Sequence, residues 1–132
     1  MMSQFEEASL VIGAAFLNFA IGVVWQMAFA KQWRRAWNIS EIDSHKHDTE
    51  SHMISFISSL WVSYGLFVLI KHIHPNGLIE VLFMGIGLWL LVVVGISGKH
   101  YSYANKSIKA FLIDYTLDLV GIVIMCLVIA EY

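Results

Sequence analysis

Two aspartates, Asp114 and Asp118, stand inside a stretch that otherwise reads as membrane-spanning, AFLIDYTLDLVGIVIMCLVIA over residues 110–130. Four residues apart, they share one face of a helix. A carboxylate in hydrocarbon needs a partner, a proton or a water path, and intramembrane acids commonly mark proton relays and ion or solute pathways. On the insertion scale a central aspartate costs roughly 2.5–3.5 kcal/mol, and each Leu, Ile, Val or Phe returns about 0.3–0.6. The stretch holds twelve of the latter, so gain and cost nearly cancel if both acids are deep and charged. Such a span depends on its neighbours.

A second constellation lies in the segment after residue 40. On a single helix running from Ser40 into the second apolar stretch, Glu41, His45, Asp48 and His52 share a face. Imidazole and carboxylate suit zinc or another divalent ion. The same residues equally suit a solvated charged face, and no metal or other cofactor is expected. Cys126 is the single cysteine, so an internal disulfide and a dithiol redox mechanism within one chain are excluded. No Ser/His/Asp arrangement and no phosphate-cradling glycine loop is present, which makes an enzyme less expected than a transporter or a binding protein. No long basic run or nucleic-acid motif appears, so no nucleic-acid partner is expected.

These residues must be positioned by membrane helices. The chain has 132 residues; 58% are hydrophobic and 14% charged, against roughly 45–50% and about 25% in soluble domains. The excess lies in four apolar segments, at about 8–30, 53–70, 78–97 and 110–130. Each suffices, or nearly so, for a helix to cross about 30 Å of hydrocarbon. The expected fold is therefore all-α: one four-span membrane bundle, with a short connecting helix after a Ser-x-x-Asp capping pattern at Ser40 and Asp43.

Lys31, Arg34, Arg35, Lys46, Lys99, Lys106 and Lys109 fall on one side of such a bundle and Lys71 alone on the other. The positive-inside rule then places the seven in the cytoplasm and both termini outside it, in a plasma or inner membrane. The turn between the second and third spans carries the only proline, Pro75, followed by Asn76-Gly77, and is short enough to make these spans antiparallel neighbours. The exit from the first span, KQWRRAW, sets Phe29, Trp33 and Trp37 on one face, an aromatic anchor for the headgroup layer.

With this orientation, residues far apart in sequence fall at one depth. Asp114 lies about one turn into its span and Asp118 about two. Gln26, Ser55 and Ser59 are expected at similar depth, with Asn18 nearer the middle. Together these six form a candidate intramembrane polar cluster for a proton, an ion or a solute, with Asp114 the better solvated of the two acids. The rival reading is hydrogen bonding between helices with no transport role. Four-residue strips of small and polar side chains, Ala14-Asn18-Gly22-Gln26-Ala30 and Ser55-Ser59-Ser63, suit close helix contact. They point to a homo-oligomer, most simply a two-fold dimer. The lipid bilayer and a possible protein partner are the other associations expected.

Three places carry a family resemblance. They are Gly22-x-x-Trp25 followed by Phe29, Lys31 and Trp33; Leu88-Trp89-Leu90; and the run from Tyr103 to Ala130. In these the chain resembles the small four-span membrane family called domain of unknown function 1761. The resemblance implies a four-span fold and supplies no chemistry. The functional expectation therefore rests on the residues alone: a small oligomeric transporter or channel, with a non-catalytic membrane scaffold as the alternative.

Overall fold

The computed structural model describes residues 3–40, 48–104 and 108–130. These are helical, with no strand among them. Four helices are long and apolar enough to cross a membrane: α1, Gln4–Trp37; α2, Asp48–Ile73; α3, Leu78–Tyr103; and α4, Ile108–Ala130.

The ends of α1 follow its sequence closely. Ser3 and Glu6 form a reciprocal capping box: the Ser3 hydroxyl accepts from the Glu6 N–H at 3.2 Å, and the Glu6 carboxylate accepts from the Ser3 N–H at 2.9 Å. Asn38 ends the helix in the left-handed conformation, φ 57°, a residue suited to that position. Between them α1 runs unbroken for 34 residues, about 51 Å at 1.5 Å per residue, well beyond the hydrocarbon thickness. The aromatic and basic exit is thus the continuation of the first span. The helix turn expected at Ser40 and Asp43 falls mostly outside the described residues.

The α2–α3 turn is as short as its residues suggest. His74 takes φ 54° and Gly77 φ 148°, the latter a backbone that suits glycine. The Asn76 N–H donates to the Glu80 carboxylate at 2.7 Å, satisfying a free donor at the start of α3.

The middle of α3 departs from the α-helical pattern that its composition suggests. Trp89–Val94 forms a π-helical segment between α-helical Leu78–Leu88 and Gly95–Tyr103. An i→i+5 turn carries an extra residue, and each residue turns a helix by about 100°. In a plain α-helix Tyr101 would point about 160° away from Gly85. One extra residue reduces this to about 60°. Gly85 and Tyr101 can then both face α4.

α4 is the central element. It packs against α1, α2 and α3, whereas the other main helix pairing is α1 with α2. One end of the bundle is a dry core of Ala14, Leu66, Val81, Met125, Cys126 and Ile129, drawn from all four helices. Gly85 lets α3 approach here, because a side chain at that position would meet the Cys126 sulfur and the Ile122 and Val123 methyls. At the same end Lys71 pairs with Glu7 at 2.7 Å. An exposed pair of this kind adds little stability. Many large apolar side chains point outward, Trp61, Leu91 and Phe83 among them, as expected for a lipid-facing surface.

Candidate functional site

The opposite end of the bundle is built around Asp114. Three neutral donors converge on its carboxylate: the Trp33 indole N–H at 3.0 Å, the Trp37 indole N–H at 3.1 Å and the Tyr101 hydroxyl. The two tryptophans are one turn apart on α1, and Tyr101 comes from the re-phased end of α3. One carboxylate thus clips three helices. Two more indoles reach α4 nearby: Trp25 donates to the Ile113 carbonyl at 3.2 Å and Trp89 to the Tyr115 carbonyl at 2.8 Å. Four of the five tryptophans therefore bond to α4 between Ile113 and Tyr115.

Rings close this end of the bundle. Tyr101 stands edge-on to Trp37, Phe111 and Tyr115 at centroid distances of 5.3, 5.8 and 5.1 Å. Phe111 and Tyr115 lie 3.9 Å apart. Gly98 gives α3 room to pass Phe111. Tyr115 is buried, and its hydroxyl lies near Ser97 without a hydrogen bond of ordinary geometry.

Toward the dry core, the next polar contact joins α1 and α2. The Asn18 side-chain amide donates to the Ser59 hydroxyl at 2.8 Å. The Asn18 carbonyl oxygen occupies the space that any side chain at Gly121 would need, so this glycine permits the close approach of α1 and α4. Ser63, one turn beyond Ser59, donates to the Val11 carbonyl at 2.8 Å.

The six residues expected to form one polar cluster are thereby distributed. Asn18 and Ser59 bond to each other. Asp114 is half-buried within its indole and phenol donors. Gln26 and Ser55 are exposed on the outside of the chain. Asp118 is also exposed, and no hydrogen bond or ion pair reaches it among the described residues. Asp114 is thus the more enclosed of the two acids and Asp118 the more accessible. Depth along a helix is readable from sequence, but enclosure depends on which neighbour faces the residue.

On α1 and α3, the layer of Asp118 holds no counter-charge; on α2, His52 packs on Phe19 at the edge of this layer. The contacts Asn18–Gly121 and Trp25–Ile113 bracket it on α1, and Gly85–Ile122 and Trp89–Tyr115 bracket it on α3. Residues 18–25 and 85–89 carry no charged side chain. Asp118 is the eleventh residue of the 23 in α4, about 15 Å from the helix start.

Of the metal candidates, Glu41, His45 and the Asp48 side chain lie outside the described residues. His52 packs edge-on against Phe19 at 6.1 Å. No cluster of three metal-ligating side chains occurs among the described residues.

The indole donors to Asp114 went unrecognised in the sequence, where Trp33 and Trp37 read as headgroup anchors. The available signal was depth: Trp33 and Trp37 share one helical face near the inner end of α1, at the level where Asp114 enters.

Residues 9–130 match the family described as "Protein of unknown function (DUF1761)". The chain belongs to this family. No curated protein and no solved structure matches it. The DUF1761 match covers all four apolar helices except the first few residues of α1 and so includes the Asp114 clip and Asp118. Membership establishes kinship with a family of unknown function, and the chemistry must be argued from the side chains.

Proposed function

We infer that this DUF1761 protein is a small membrane transporter or channel for a proton, a small cation or a solute, in which the two aspartates have different tasks. Asp114 is the structural member. Its charge is dispersed over three donors, and hydrogen bonds to an ionised group are among the stronger ones. Asp118 is the working member. The observation that carries this reading is its isolation: an accessible carboxylate midway along an apolar helix, with no partner among the described residues and no charged side chain on the facing stretches of α1 and α3. Such a group is costly to keep in a membrane unless it binds a proton or a cation during its working cycle.

Flux into sealed vesicles tests this reading. The purified protein should carry protons or a small monovalent cation down an imposed gradient above the protein-free background. Asp118→Asn should abolish that flux while leaving the helical content intact. Equal flux in parent and variant would contradict the assignment.

A scaffold role is the second reading, favoured by one observation. Gly13, Gly22, Gly65 and Gly87 face open space, with nothing within 4 Å of where a side chain would begin. Small residues without a neighbour in the protomer suit close contact with a second helix in lipid. A homo-oligomer would serve either reading. Mass measurement in native lipid distinguishes a dimer from a monomer.

A further inference from the structure

Asp118 lies on the face of α4 that forms the core elsewhere. It precedes Met125 by seven residues and Ile129 by eleven, spacings that return to within about 20° of the same direction. Met125 and Ile129 are buried, 1% and 3% exposed, beneath Leu66 of α2 and Val81 of α3. Asp118, on the same face, remains accessible.

The reason is the course of α2. At Leu66 it joins the common core. At Ser59 it bonds to Asn18 of α1, and at Phe56 and His52 its ring contacts are with Phe16 and Phe19 of α1. Over the same stretch α3 is fixed to α4 through Trp89 and Tyr101. α2 thus follows α1 and α3 follows α4, and the seam between α2 and α3 opens over Asp118.

This cleft is closed along the bundle axis in both directions. The rings of Trp37, Tyr101, Phe111 and Tyr115 lie on one side. On the other are the Asn18–Ser59 bond, the Gly121 contact and the dry core. What remains open is the lateral side, toward the hydrocarbon. Tyr115, three residues before Asp118 on α4, is buried, and its hydroxyl has no hydrogen bond of ordinary geometry.

We propose that the seam between α2 and α3 is a binding site for an amphiphilic ammonium cation entering from the bilayer, with its head on Asp118 and its chain in the lipid. This deepens the transport reading and rests on it for the role of Asp118. An ammonium supplies the missing counter-charge and hydrogen-bond donors, and an aromatic wall beside a carboxylate is a favourable surface for an organic cation. Lateral entry removes the need for an aqueous passage through four short helices. It also makes the apolar chain part of recognition, because the chain stays dissolved in hydrocarbon while the head is held.

The test uses the full chain in lipid nanodiscs and tritiated dodecylammonium as the probe. Saturable binding should be at least about tenfold weaker in Asp118→Asn, the scale expected when a charge partner is lost. Asp118→Glu, which keeps the charge, should retain binding and guards against a folding artefact in the amide variant. Excess methylammonium, which has the head without the chain, should compete poorly. Binding unchanged in Asp118→Asn would overturn the proposal, and so would equal competition by methylammonium, because the site would then be reached from water. The transport reading fails separately: dodecylammonium binding without any flux would remove transport and leave this site. Proton or metal-cation flux through Asp118 without dodecylammonium binding would remove this site and leave transport.

Discussion

The two aspartates are the same residue type four positions apart, and their neighbours make them different groups. Asp114 has three donors from two other helices, so losing one leaves an ionised group short of a hydrogen bond. Tyr101→Phe and Trp33→Phe should each destabilise the fold by about 1.5–3 kcal/mol, the range for hydrogen bonds to charged groups, measured by equilibrium unfolding in mixed micelles. Asp118→Asn removes no contact and should stay within about 0.5 kcal/mol of the parent in the same experiment. Equal losses at the two positions would contradict the division. The sequence made the pair conspicuous, since two acids in an apolar span stand out in composition. It did not reveal which acid was held, because the donors come from α1 and α3, 81, 77 and 13 residues away in sequence.

Four apolar segments of the right length are enough to read the helices, and α1, α2 and α4 follow those segments with added turns at their ends. The π-helical segment of α3 is different. Its residues, WLLVVV, carry no mark that distinguishes them from an ordinary apolar turn, and the re-phasing is visible only when both faces of α3 must meet α4. That segment is what brings Tyr101 to Asp114. Deleting Val93 removes the extra residue, so a plain helix should hold Tyr101 in the same direction, about 60° from Gly85, and Tyr101→Phe should cost as much there as in the parent. Inserting one residue after Val94 should instead turn Tyr101 by about 100° away from α4, and a further Tyr101→Phe change in that background should cost nothing additional. Full additivity of the insertion and Tyr101→Phe would show that the phase of α3 does not position Tyr101. The seam over Asp118 is likewise a property of helix courses, set by α2 following α1 through Asn18, Ser59 and the Phe16, Phe19 and Phe56 rings. No local pattern in α4 announces it.

At the scale of the whole molecule, the bundle joins a dry core at one end to a clip of indoles and phenol at the other, with one accessible carboxylate between them. Its charge distribution also has a direction. Lys71 and Glu7 lie together at the end opposite the basic exit of α1. The positive-inside reading places that end outside the cytoplasm. Ser3→Cys and Asn76→Cys should therefore react with a membrane-impermeant maleimide on intact cells, and Ser102→Cys only after permeabilisation. Labelling in the reverse pattern would invert the orientation while leaving the cleft where it is. The central claim concerns that cleft: Asp118 faces the bilayer unpartnered while Asp114 is satisfied within the protein. An apolar carbodiimide, which reaches carboxyl groups through hydrocarbon, measures this directly when the modified residue is mapped by mass spectrometry of the protein in lipid at mildly acidic pH. Modification concentrated on Asp118, with Asp114 protected, is the predicted result; modification of Asp114, or of neither aspartate, would contradict it.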